Sequence, residues 1–505
     1  MRNKPTIIVF IGLFLVIAIY VMSSVLTGSG SNIGALAKYV AVGSLFVGII
    51  YRKPAFYLLV VYAAISDLLK RLLVVEGEFS QLDITYILMM SPLLMLGIFL
   101  GVSVDIIAKR ALTRELKIAL IVGTLLGGYN MASASIGGDS SILGLLQIGA
   151  NSVSYYYLPF CALYVFKGQR DYIDLIKFAT FIFVPVALFA MWQAIVGYSE
   201  FEIAYLLSGF TSIGNLNDIH ATRPFSTVSS PGACAYTCGT LAMVCFFFAN
   251  HKNRLSLDGS LIPWRQTSIS ILFFLILLGG MFVTKNRTQM LVTLAIIPYF
   301  YLLSSYKKTI IAYASVFCFA AFLILTSGYI LDNNLIESYQ NNIVPTLTKI
   351  TGLDGRYFTL ATMNIRFEGW DAVMSNPEFW KPFGNSQLIE EASTMSMMEA
   401  RGAGIRTHDV ISGSLLKFGY VPILIVAPVA IFILLKMHKF IARIPSDSFE
   451  SKAIRIGLLG LFAGYMGTLT GGALGAFPNP VIQNLLFTLV LMSLLRVKQL
   501  RTQQI

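Results

Sequence analysis

From Ile7 to Leu495 long apolar runs alternate with short basic clusters, and no water-soluble fold can carry that pattern. About 20 apolar residues in a helix are enough to cross roughly 30 Å of hydrocarbon. The runs here reach that length again and again. Hydrophobic residues make up 56% of the chain and charged residues only 12%. With a mean hydropathy of +0.73, the exposed apolar surface would aggregate in water. The fold class that follows is an all-α polytopic membrane protein, because helices satisfy every backbone polar group in lipid.

The runs fall at residues 7–26, 35–51, 54–69, 82–104, 118–135, 142–166, 176–196, 231–249, 268–284, 290–306, 309–328, 410–435, 453–475 and 480–495. They predict about 14 transmembrane helices, or about 12 if the weakest pair is not counted. The first run follows Arg2 and Lys4 without a convincing cleavage site and reads as a retained span, not a signal peptide. Three regions result. Residues 1–330 form a transmembrane scaffold with the first eleven spans, 331–409 a large hydrophilic stretch, and 410–505 the C-terminal membrane helices.

The net charge of +12 would suit a nucleic-acid partner, but its distribution argues against one. If the N-terminus is cytoplasmic, the inward connections are Arg52-Lys53, Lys109 to Lys117, Lys167 to Arg170, Lys252 to Arg265, Lys307-Lys308, Lys436 to Arg455 and the tail after Leu495. Each is basic, as inward loops are. The opposite connections are mostly short, polar or acidic. Lys70-Arg71 is an exception, offset in the sequence by Glu76, Glu78 and Asp83. Both termini are then cytoplasmic, and Tyr198 to Ser230 and Leu331 to Asp409 face outward. There is no nucleotide pool on that side, so an enzyme working there needs a substrate already activated.

Several outward residues could carry such chemistry. Arg223 precedes Pro231, a residue suited to the first turn of a helix. It either meets a phosphate near that helix start or snorkels to lipid headgroups. Lys285 and Arg287 share one polar turn, Lys285 to Gln289, on the side where basic residues are usually avoided. They meet either a specific anion or lipid phosphate. In the large outer stretch, Tyr357 to Met374 predicts an amphipathic helix with Arg366 and Trp370 on one face, stopped by Asn376-Pro377. Lys381 to Asn385 reads as a turn. The Met-rich, Gly-containing Glu390 to Gly404 reads as a loop or lid that could exclude water.

Of four histidines, His408 has the most suggestive setting. It follows Arg401 and Arg406, precedes Asp409 and stands at the mouth of a span. A neutral imidazole there could take a proton from a hydroxyl, and close arginines would keep it neutral. The alternative is an ordinary polar interface histidine. His251 and His438 lie in basic loops, and His220 has no obvious orienter. The five cysteines all sit in or beside apolar runs and read as small hydrophobes. The outward acidic residues Asp354, Glu368 and Asp371 do not have the spacing of a divalent-ion site, so a metal-independent, cofactor-free mechanism is expected. Few charges lie deep in spans, which weighs against an ion-coupled transporter.

Four segments, in order and on one side, resemble the bacterial O-antigen ligase and O-antigen or exopolysaccharide polymerase superfamily. They are Arg223-Pro-Phe-Ser-Thr-Val-Ser-Ser-Pro231, Thr284-Lys-Asn-Arg287-Thr288, Arg366-x-x-x-Trp370 with Pro382-Phe-Gly384, and His408-Asp409 with Leu415 to Gly419. Asp409 stands where the family usually has asparagine, and Lys285-Asn286 departs from its commoner serine. The resemblance implies a glycosyltransferase C type helical fold with a helical periplasmic loop over a lateral cavity, in the bacterial inner membrane. It implies an undecaprenyl-pyrophosphate-linked oligosaccharide donor and a glycan acceptor. In that reading Arg223, Arg287 and Arg366 bind the pyrophosphate and His408 is the catalytic base. Arg401, Arg406, Asp409, Trp370 and Lys285 support them. A chain-length regulator or a flippase would be the protein partners. Length and span number favour a polymerase over a ligase acting on lipid A-core. A glycolipid flippase or polysaccharide exporter is the alternative of another class, and it predicts internal repeats that this sequence lacks.

Overall fold

The computed structural model describes residues 32–76, 81–136, 156–207, 223–249, 267–286, 289–290, 293, 339–352, 373, 375–385, 415–416, 419–421, 424, 428, 448–469 and 480–502. Every regular element among them is helical. In chain order we label α1 (Asn32–Ile50), α2 (Arg52–Glu76), α3 (Gln81–Lys109), α4 (Arg114–Ile136), α5 (Leu158–Val165), α6 (Gln169–Val196), α7 (Glu200–Leu207), α8 (Pro231–Ala249), α9 (Thr267–Val283), α10 (Val344–Thr351), α11 (Phe449–Leu469) and α12 (Pro480–Thr502). Among the described residues, four helical segments are long and apolar enough to cross a membrane: Asp83–Lys109, Gln169–Val196, Pro231–Ala249 and Val481–Lys498. Leu36–Ile50 and Ser268–Val283 are shorter and also apolar. The span expected at 231–249 coincides with α8, while α6 begins seven residues before its expected start at 176. Hydropathy misses those added residues, about two turns, because they carry Arg170, Asp171 and Asp174.

The helices alternate in direction. α1 and α3 run side by side the same way, with Gly34 against Asp83 at one end and Arg52 Nη1 2.9 Å from Asp105 Oδ2 at the other. Lys109 Nζ lies 3.6 Å from the same Asp105 oxygen, and Lys53 Nζ lies 3.2 Å from Asp171 Oδ2. These pairs gather the connections at 51–53, 105–110 and 167–171 at one end of the bundle, as the charge bias predicts. Exposed pairs of this kind add little stability. Their value here is to show which loops share a side.

The core runs through α1, α2, α3, α5, α6, α8, α9, α11 and α12, with Phe56, Phe160, Phe166 and Phe183 among its largest members. Helices in lipid gain little from mutual burial of apolar groups, so close backbone approach matters more. Glycines supply it. A Cβ on Gly97 would meet the Leu45 carbonyl oxygen, and one on Gly101 would lie 2.7 Å from the Ile49 carbonyl oxygen. Gly48 faces the α3 backbone in return. Gly97-x-x-x-Gly101 is thus the seam between α1 and α3. Gly97→Leu would force the two backbones apart and is expected to cost roughly 1–3 kcal/mol or more. The check is the thermal midpoint of the purified protein, and a shift of less than about 1 °C would contradict this seam.

Candidate functional site

The end of the bundle opposite the Arg52–Asp105 pair holds the most specifically built feature, the non-helical segment 223–230. It is an arch that dips between α2 and α6. Ser226 N–H donates to Gln193 Oε1 (2.7 Å), Ser226 Oγ donates to the Val186 carbonyl (2.5 Å), and Thr227 Oγ1 donates to the Ala64 carbonyl (2.6 Å). Gln193 and Val186 precede the end of α6 by three and ten residues, so the arch sits roughly 5–15 Å below that helix end at 1.5 Å per residue. Non-helical backbone at such depth is tolerated only where protein surrounds it and satisfies its polar groups.

Arg71 is what satisfies them. Its side chain is 1% exposed, and its Nη1 and Nη2 donate to the Ser226 and Val228 carbonyls. The guanidinium lies over the Phe225 ring, 4.1 Å from its centroid, and 5.9 Å from that of Tyr205. Asp67 and Glu202 lie close enough to act on it electrostatically. The guanidinium is a fixed cation with a planar fork of donors, which suits two carbonyls of one loop. Ser226 has φ +54°, in the left-handed region. A non-glycine residue holds that conformation only where its surroundings impose it, and here Arg71, Gln193 and Val186 do so.

The arch is also tied from above. Tyr198 OH donates to the Arg223 carbonyl (2.6 Å), and the Tyr198 and Phe225 rings are 5.1 Å apart. Gln193 Nε2 donates to Glu202 Oε1, while Glu202 Oε2 accepts from Ser199 N–H (2.9 Å) and Ser199 Oγ (2.8 Å). Ser199-Glu-Phe-Glu202 has the spacing of a helix capping box, and it sets α7 over the arch. The Arg223 side chain is partly exposed and makes no ion pair among the described residues.

Two helix starts flank the arch. Ser230 caps α8: its Oγ accepts from Ala233 N–H (3.1 Å), and its carbonyl accepts from Cys234 N–H (3.0 Å). Asn286 caps the turn after α9, with its Oδ1 accepting from Gln289 N–H (3.1 Å) and its carbonyl from Met290 N–H (3.1 Å). Such caps are each worth about 1 kcal/mol. Lys285, with φ +56°, makes the reversal between α9 and this second start. Thus the turn expected at Lys285 to Gln289 is present, and its Asn286 has a capping role. The two starts are neighbours, because a Cβ on Gly232 would lie 3.8 Å from Asn286 Nδ2. Helix starts favour negative charge.

A second assembly closes part of the large hydrophilic stretch. Helical residues reach Ser375, Asn376 is extended, and Pro377–Phe379 forms a short 3-10 turn. The helix therefore stops at Asn376-Pro377 as the sequence predicts. The predicted turn follows, with Gly384 at φ +86°. Lys381 Nζ donates to Glu378 Oε2 (2.6 Å), and Asn385 Nδ2 donates to the same oxygen (2.9 Å). The Lys381 hydrogen bond, then its charge, hold the Glu378 carboxyl below its ordinary range. Asn385 N–H donates to the Leu416 carbonyl (2.8 Å), and Tyr420 N–H donates to the Lys381 carbonyl (3.2 Å). Val373, Phe379, Leu415 and Leu416 bury a small apolar cluster beneath these bonds. The chain between Asn385 and Leu415 therefore leaves and returns at one place, and His408 belongs to that interval.

Among the expected site residues, Arg223 and Lys285 lie on the described surfaces above. Arg287, Arg366, Trp370, Arg401, Arg406, His408 and Asp409 lie outside the described residues, as do most of the helix expected at Tyr357 to Met374 and the segment Glu390 to Gly404. Two of the four motif segments are brought into contact: Gly419 packs on the Pro382 carbonyl. Arg71 is the residue that sequence reasoning missed. Its guanidinium donates to two buried carbonyls, with Asp67 and Glu202 supplying opposite charge nearby. The sequence marks Lys70-Arg71 as a departure from the charge bias, as it does Lys285, but carries no sign of the loop that Arg71 holds. No protein-family model, curated protein or solved structure matches this chain.

Proposed function

We propose that this chain is a bacterial inner-membrane glycosyltransferase working on the periplasmic face. Its reaction would be that of a polysaccharide polymerase, moving a glycan from undecaprenyl pyrophosphate onto a hydroxyl of a lipid-linked repeat unit. The observation that carries the reading is the tied arch, which begins at Arg223 and ends at Ser230, where the helix starts at Pro231 and Asn286 are neighbours. Positive groups held in advance of the reaction can stabilise charge that grows on a leaving group. A pyrophosphate on a membrane-embedded tail has that charge and would approach from the bilayer. The resemblance of the four segments supplies the rest of the assignment.

In this mechanism His408 takes the proton of the acceptor hydroxyl as its oxygen attacks the anomeric carbon. The bond from that carbon to the pyrophosphate oxygen breaks, and the electron pair leaves with the pyrophosphate. Arg223 and Arg287, joined by Arg366, neutralise it. A single displacement inverts the anomeric centre. The donor is already activated and the outward sequence offers no acidic cluster with metal-site spacing, so neither nucleotide nor metal is assigned. The segment closed between Asn385 and Leu416 would hold the growing glycan over the site.

The test is purified protein with synthetic polyprenyl-pyrophosphate repeat units, with products resolved by length. A ladder is the expected result. Transfer only when lipid A-core is supplied would make the protein a ligase. No transfer to either acceptor from any repeat unit of the host would sink the enzymatic reading and favour glycolipid transport.

A further inference from the structure

We infer that Arg71 is a positioning residue: it sets the Arg223 arch in its working geometry and never touches the substrate. The inference rests on the reading of Arg223 as a partner of the donor pyrophosphate. Its structural half stands on separate observations. Arg71 is fully buried, while the arch it serves is not part of any helix. Its two donors reach the Ser226 and Val228 carbonyls, on either side of Thr227. They span 155 and 157 residues of sequence, so no local turn chemistry could replace them. Ser226 is held in a left-handed conformation, which a short serine would leave if released.

The groups that face Arg71 come from four places. Asp67 lies one turn back on α2, Tyr198 lies between α6 and α7, Glu202 and Tyr205 lie on α7, and Phe225 lies on the arch itself. Glu202 bonds Gln193, which accepts from Ser226 N–H. One charged network therefore grips the arch through both its N–H and C=O groups. Arg223 lies three residues before Ser226, and its carbonyl is fixed by Tyr198. A guanidinium at that position can meet a ligand with little reordering only while the arch keeps its shape. Lysine cannot replace Arg71, because a point-charge ammonium does not present the two parallel donors of the fork.

The experiment compares wild type with Arg71→Lys and Arg71→Met, the second filling the space without donors. Each is also made with Val228→Cys, at a buried residue of the arch, for a labelling readout that needs no substrate. The described cysteines are buried, so the parent chain gives the background. Purified protein is treated with a maleimide, and transfer is assayed separately in chains that keep Val228. The expected result is monodisperse protein in which the introduced thiol is labelled roughly tenfold faster in both Arg71 variants, as an arch freed from its charged donor would give. kcat/KM for the donor falls by roughly tenfold, with a higher KM carrying part of the loss and a lower kcat the rest, because Arg223 both binds the pyrophosphate and meets the charge that grows on it. Labelling and kcat/KM both unchanged in Arg71→Met would overturn the proposal. Loss of monodisperse protein in both variants would also overturn it, by assigning Arg71 to assembly of the bundle. Faster labelling in a protein that transfers no glycan even as wild type would keep the arch's dependence on Arg71 and remove the enzymatic reading instead.

Discussion

His408→Ala is expected to lower glycan transfer by roughly 10²–10⁴-fold, the contribution of a positioned general base. The amount and thermal stability of the purified protein should stay close to wild type. The acceptor hydroxyl is a weak nucleophile, and among the four histidines only His408 is preceded by two arginines at the mouth of a span. The Asn385–Leu416 hydrogen bond adds that the segment holding His408 starts and ends on one packed cluster. In wild type the rate should rise with pH as the imidazole loses its proton, then level off, because only the neutral ring accepts. His408→Ala should lose that rise. Transfer by His408→Ala within about tenfold of wild type would remove His408 from the chemistry. Asp409→Asn, which restores the residue usual in the family it resembles, should keep most of the activity.

Gly419→Ala is expected to open the clasp between the large hydrophilic stretch and the helix that follows it. Gly419 has φ +82°, and an added Cβ would run into the Pro382 carbonyl and crowd that of Lys381. Backbone atoms offer no flexible end that could swing aside. Left-handed strain and overpacking together should cost roughly 2–4 kcal/mol. The loss should be local, because Val373, Phe379, Leu415 and Leu416 form a cluster separate from the main core. Hydrogen exchange would show it as lost protection of the Asn385 and Tyr420 amides, whose acceptors are the Leu416 and Lys381 carbonyls. Protection in α3 and α8 should be unchanged. Equal protection of Asn385 in variant and wild type would mean that the clasp does not depend on this close approach. If the clasp brings His408 to the donor, transfer should fall along with the protection.

Much of this organisation was legible before any coordinates. The break at Asn376-Pro377, the turn at Lys285-Asn286 and the helix start at Pro231 are local events. Each depends on a residue's own backbone preference, or on a side chain reaching a group a few positions away. Gly419 and Gly97 show where that legibility stops. Glycine in an apolar run is compatible with a span, a kink or a seam, and only the backbone opposite decides which. Arg71 shows it more sharply. Sequence proximity sets Glu76, Glu78 and Asp83 against its charge, whereas the groups around it are Asp67, Glu202 and two carbonyls more than 150 residues away.

The sequence by itself determined that the chain is built of apolar helices, and it predicted which connections share a side. Those properties follow from hydropathy and charge summed along the chain, and lipid leaves the backbone little choice but helix. Only the tertiary structure decided that segment 223–230 is an arch hung from Arg71, that the helix starts at Pro231 and Asn286 are neighbours, and that Pro382 meets Gly419. Each is a contact between distant parts of the chain. Such contacts depend on how helices pack, and no pattern of neighbouring residues encodes that packing directly.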